Sequence, residues 1–131
     1  MIYLDSSVLL AGFLAENRRP PAALWNREET LASSRLAEYE VWNRLHAYGL
    51  GAKSAEVVPR TFARLLVIET SREVLARALD PLPGGVRTLD GLHLATLDFL
   101  RSGGHPVQLA SYDRRMRAAA QAMGVPIYEL E

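Results

Sequence analysis

A chain of 131 residues, 49% hydrophobic and 23% charged, makes one domain that buries roughly 65–70% of its unfolded surface. No apolar run reaches the ~20 residues of a membrane helix, and no basic leader precedes the first strand, so a cytoplasmic, non-membrane protein is expected. Fifteen basic residues balance fifteen acidic ones and give no pointer to nucleic acid, while the lack of cysteine excludes disulfides and thiolate metal ligands.

The first predicted element is an apolar strand, Ile2-Tyr3-Leu4, followed by Asp5. Leu9, Leu10, Phe13 and Leu14 predict a helix that stops before Arg18-Arg19-Pro20-Pro21. Proline is tolerated in a first helical turn, so the pair starts the next helix, over residues 22–27. Thr30-Leu31-Ala32 reads as a short strand, and Ser34 as the N-cap of a helix over residues 36–48. In that helix Ala37, Val41, Leu45 and Tyr48 repeat at helical spacing and should face the core, with Glu40 beside the stripe.

Gly49-Leu50-Gly51 ends this helix. A helix over residues 54–64, a strand over 65–68 and a helix capped by Ser71 and running to Leu79 follow. Asp80-Pro81-Leu82-Pro83-Gly84-Gly85 is the clearest loop. Beyond it come a helix carrying Asp90 near its start, a stop at Ser102-Gly103-Gly104, a strand over 107–110, a helix over 114–123 and a last strand over 125–128. Gly124 stands where a C′ glycine belongs. Strands alternating with helices predict a single domain over residues 1–131, an α/β/α sandwich with a mainly parallel central sheet. Ligands bind outside the carboxyl ends of the strands in such sheets. Asp5 and Asp113 each fall just past such an end.

Four acids carry the chemical signal: Asp5, Glu40, Asp90 and Asp113. They are far apart in sequence, so only folding could gather them. Gathered carboxylates repel one another unless a cation is present, and hard oxygen ligands suit Mg2+ or Mn2+. Metal-assisted hydrolysis of a phosphodiester is the chemistry such a set performs. Each acid taken singly also has a structural reading: Asp5 and Asp113 as helix caps, Asp90 as a first-turn charge favoured by the helix dipole, Glu40 as a solvated surface residue. His93, one turn after Asp90, can share its face. The sequence holds no serine nucleophile elbow, phosphate-loop pattern or dinucleotide fingerprint. A phospho-acceptor receiver domain would need adjacent acids after the first strand and a late lysine, whereas Asp5 stands alone and Lys53 is the single lysine. The other fourteen basic residues are arginines, the better planar partners for phosphate.

The local words around these acids resemble those of PIN-domain proteins, most closely VapC-type ribonuclease toxins of toxin–antitoxin pairs. Ile2-Tyr3-Leu4-Asp5-Ser6-Ser7 is similar to the family's first strand, and Ser34-Arg35-Leu36-Ala37-Glu38-Tyr39-Glu40-Val41 to its second block. Leu89-Asp90-Gly91-Leu92-His93-Leu94-Ala95 is the most specific match, and Ser111-Tyr112-Asp113 with the following helix resembles the fourth block. Gly91 replaces a commoner alanine and should loosen its helix by roughly 1 kcal/mol. Glu38 rivals Glu40 but points half a turn away.

The resemblance implies a Mg2+-dependent endoribonuclease, with Mn2+ able to substitute. Asp5, Glu40, Asp90 and Asp113 would be its metal-binding catalytic acids, Ser7 and His93 their supporting neighbours, and Arg114, Arg115 and Arg117 contacts to the RNA backbone. It also implies a VapB-like antitoxin as partner and a homodimer. Two alternatives use the same residues: a structure-specific DNA nuclease, and a noncatalytic binding domain whose acids cap helices.

Overall fold

The structure is a computed structural model that describes residues 1–14 and 20–130. Four parallel strands, β1 (Ile2–Leu4), β2 (Leu31–Ser34), β3 (Leu66–Ile68) and β4 (Gln108–Ala110), form one sheet in the order β3-β2-β1-β4. The α/β/α architecture expected from the alternating elements is therefore the one found. The chain builds β1, β2 and β3 outward in one direction and then returns to place β4 on the other side of β1. The carboxyl ends of β1 and β4 thus flank a topological switch point, where parallel sheets form their binding crevice.

Alternation along β1 divides the core in two. Ile2 and Leu4 pack with residues of α1 (Ser6–Leu14), α2 (Ala22–Trp25), α3 (Arg35–Ala47) and α4 (Val57–Phe62). Tyr3 points the other way, among residues of α6 (Thr88–Ser102) and α7 (Arg114–Ala122). This period of two is what a strand buried on both faces requires. Helix α5 (Arg72–Ala78) packs along α6. Serine caps behave as expected: Ser34 Oγ accepts from Ala37 N–H at 3.1 Å, and Ser71 Oγ from Val74 N–H at 3.3 Å.

The differences from the sequence reading have local causes. Tyr48 is exposed, because α3 ends at Ala47 and its ring turns out under the Arg44 guanidinium, 5.6 Å away. The predicted last strand contracts to one parallel bridge, Leu109 to Ile127, flanked by Leu109 N–H to Pro126 O and Tyr128 N–H to Leu109 O. Pro126 has no N–H, which limits the ladder at that edge. Helices α2 and α4 are shorter than predicted. The expected stop of the first helix before Arg18 lies outside the described residues. Gly124 has φ +82°, the left-handed conformation expected of it. No described helix is long and apolar enough to cross a membrane.

Candidate active site at the carboxyl edge of the sheet

Asp5 follows β1 at the switch point and is buried, with 3% of its surface exposed. Its Oδ1 accepts from Ser7 N–H (3.1 Å), Ser7 Oγ–H (2.5 Å) and Val8 N–H (3.3 Å), while Ser111 Oγ–H donates to Oδ2. Both hydroxyls are themselves set by the turn after β4. Tyr112 N–H donates to Ser7 Oγ and Asp113 N–H to Ser111 Oγ, each at 3.0 Å. Asp5 therefore stitches the loops after β1 and β4 together. Burial raises its carboxyl above the ordinary value, and the His93 ring and the two serine hydroxyls work against that shift. The capping role allowed by the sequence is real: the carboxylate accepts from the first-turn N–H groups of Ser7 and Val8.

Glu40 lies in the second turn of α3, half-buried. His93 Nε2 stands 2.5 Å from its Oε1. His93 is 1% exposed, and its other ring nitrogen, Nδ1, shares a 2.7 Å hydrogen bond with the Tyr3 hydroxyl. That hydroxyl also donates to Ser34 Oγ at 3.0 Å. Burial holds the Tyr3 hydroxyl far above the usual tyrosine range, so it remains protonated. Glu38 faces Arg35 instead, 3.4 Å from Nη1, and does not compete for this position.

Asp90 occupies the first turn of α6. Burial and then the neighbouring Asp113 charge raise its carboxyl; His93 and Arg87 oppose this, and Glu40 adds to it. The Asp113 and Glu40 charges therefore both reach Asp90, and His93 acts on both Asp5 and Asp90. Asp113 is the N-cap of α7: its Oδ1 accepts from Arg115 N–H (2.8 Å) and Met116 N–H (3.2 Å). Among the described residues, no three acidic or imidazole groups converge closely enough to ligate one ion as the side chains stand.

Gly91, read in the sequence as a weak spot, has a packing reason. A Cβ there would meet Leu82 Cδ1 at 3.2 Å, so the glycine lets the 82–86 segment close on α6. Arg114 and Arg117 line a cleft of about 320 Å³ with Ser111, Tyr112 and Tyr128. Arg115 is exposed outside that cleft. The sequence reading missed Ser111 and Tyr3. A hydroxyl directly after β4 and a lone hydroxyl inside an apolar central strand were the signals available for them.

The sequence model described as PIN domain matches residues 2–122. Ribonuclease VapC46 of Mycobacterium tuberculosis (strain ATCC 25618 / H37Rv) is 35% identical over 127 residues, covering 96% of this chain and 95% of that protein. Ribonuclease VapC35 of M. tuberculosis (strain CDC 1551 / Oshkosh) is 28% identical over 130 residues, with 97% and 95% covered. Among solved structures, VapBC2 from Rickettsia felis bound to a promoter DNA fragment matches with a TM-score of 0.73 at 12% identity, covering all of both chains. VapBC-1 from nontypeable Haemophilus influenzae matches with a TM-score of 0.69 at 13% identity, covering 99% of this chain and 98% of that one. At these identities the structural matches speak for the fold.

Proposed function

The chain belongs to the PIN-domain family, and on that premise we propose that it is a Mg2+-dependent endoribonuclease, the toxin of a toxin–antitoxin pair. The observation that carries this reading is the acidic edge itself. Asp90 is raised first by burial and then by the Asp113 and Glu40 charges, and a cation among these carboxylates would relieve that repulsion. The donor set is all carboxylate oxygen, which fits Mg2+ or Mn2+. Because no three of the described acids converge as they stand, some would ligate directly and the rest through water.

A bound Mg2+ would supply the positive charge that lowers the pKa of the attacking water and offsets charge on the phosphate oxygens. The chain supplies position. Asp5 is fixed by four hydrogen-bond donors, so its carboxylate cannot swing away as charge develops. Glu40 is held by His93 from the opposite side of the edge. Asp90 sits in the first turn of α6 and Asp113 at the N-cap of α7, so each carboxylate is carried by the start of a helix. Arg114 and Arg117 would meet the phosphates of a single strand leaving the acids through their cleft.

The partner is a small VapB-like antitoxin, which would inhibit by offering a basic side chain to the acids in place of the metal. The protein itself is a symmetric homodimer. Incubation of the purified chain with single-stranded RNA and with matched DNA tests the activity. RNA cleavage in Mg2+ or Mn2+, stopped by EDTA and poorly supported by Ca2+, is the expected result. Equal cleavage in EDTA sinks the metal mechanism, and preferential cutting of DNA sinks the RNA assignment.

A further inference from the structure

Tyr3 is fully buried in the central strand, where Phe would fill the same space without a polar atom to desolvate. Its hydroxyl has two partners. At 3.0 Å it reaches Ser34 Oγ, the cap of α3, and at 2.7 Å it reaches Nδ1 of His93 on α6. The opposite ring nitrogen, Nε2, is 2.5 Å from Oε1 of Glu40, which α3 carries in its second turn. Starting and ending on α3, the series Ser34, Tyr3, His93, Glu40 closes on itself through the helix.

A glutamate side chain on a helix surface sweeps several rotamers. The closed bracket confines this one through the contact of its Oε1 with His93. The Tyr3 and His93 rings meet edge to face, with centroids 5.9 Å apart and planes at 69°, so ring packing as well as the hydrogen bond fixes the imidazole.

Building on the nuclease reading above, we infer that Tyr3 is a positioning residue, whose hydroxyl, acting through His93, fixes the direction in which Glu40 presents its carboxylate to the metal. Outer partners of this kind typically change metal affinity by about 10- to 100-fold when removed.

Mn2+ titration of the RNA-free chain, followed by the spectroscopic signal of free Mn2+, tests this. Tyr3→Phe keeps the ring and should weaken Mn2+ binding about 10-fold or more. In a Glu40→Gln background the same substitution should leave the affinity within about two-fold, because the group it acts through has already changed. An equal loss in both backgrounds would mark Tyr3 as merely structural and overturn the inference. An unchanged affinity in Tyr3→Phe overturns it as well.

A second measurement does not depend on that variant folding. With 3-fluorotyrosine placed at position 3 alone, hydroxyl and packing are kept, and its 19F resonance should shift when Glu40→Gln is introduced. The absence of a shift overturns the connection. A parent chain that binds no Mn2+ refutes the nuclease reading and the positioning role together. A parent that binds Mn2+ beside an unaffected Tyr3→Phe refutes the positioning role alone.

Discussion

His93 and Glu40 face each other at 2.5 Å, joining α6 to α3 across the carboxyl edge of the sheet. The two helices belong to opposite layers of the sandwich, and Leu94 and Val41, next to these residues, are buried in the two separate cores. The site is thus a seam between layers, and each acid in it answers to a different part of the fold.

Asp90→Asn tests the electrostatics of that seam. A carboxyl raised above its unfolded value opposes folding once it ionises, so the penalty is absent below about pH 4 and grows as the pH climbs to the folded value. Without metal at pH 7.5 the variant should equal the parent or exceed it by up to about 1 kcal/mol, the half-exposed position keeping the gain small. The gain should vanish near pH 4. RNA cleavage should be nearly lost, and added Mg2+ should raise the melting temperature of the parent more than that of the variant. A variant less stable than its parent at pH 7.5 in EDTA would instead assign Asp90 to the helix dipole alone.

Ser111→Ala removes the hydroxyl that donates to Asp5 Oδ2. A hydrogen bond to a charged group is worth about 1.5–3 kcal/mol, and its loss raises an Asp5 carboxyl that burial has already raised. The destabilisation should be larger at pH 7.5 than at pH 4.5, because the lost donor favoured the ionised carboxylate. Urea unfolding at the two pH values reads this difference, and an equal loss at both would contradict it.

Arg114→Ala and Arg117→Ala should weaken RNA binding without altering the fold, since both residues line the cleft beside Ser111. Each lost phosphate contact should flatten the logarithmic salt dependence of single-strand binding by about 0.7. Arg115→Ala, outside the cleft, serves as the comparison and should change the slope least. Filter binding between low and moderate salt measures all three.

Leu79 is 87% exposed, and Leu75 is exposed on the same groove of about 860 Å³ between α5 and the start of α6. Apolar surface of this kind marks an interaction face. If it is the homodimer contact, Leu79→Glu should give a monomer by light scattering at concentrations where the parent is dimeric, with an unchanged far-ultraviolet circular dichroism spectrum. A parent that stays monomeric across a wide concentration range counts against the dimer.

The sequence by itself determined the alternation of strands and helices, the parallel class of the sheet, the caps at Ser34, Ser71 and Asp113 and the left-handed glycine at 124. These depend on local propensity, hydrophobic period and residue-specific backbone freedom, all of which act within a few positions. The four acids stood out as candidates for a related reason: a carboxylate at a strand end or beside an apolar stripe is conspicuous within a few positions of sequence.

Only the tertiary structure decided how those acids are held. Ser111 meets Asp5 because β4 returns beside β1, and Tyr3 meets His93 because β1 sends that one side chain into the α6 layer. Such partners are chosen by strand order and by which face of a strand is buried, and these are set by packing over the whole chain. The same holds for Tyr48, whose helical spacing predicted a core position, while the actual end of α3 turned it outward beneath Arg44. Period fixes which residues can share a face; packing decides how far along the helix that face stays covered.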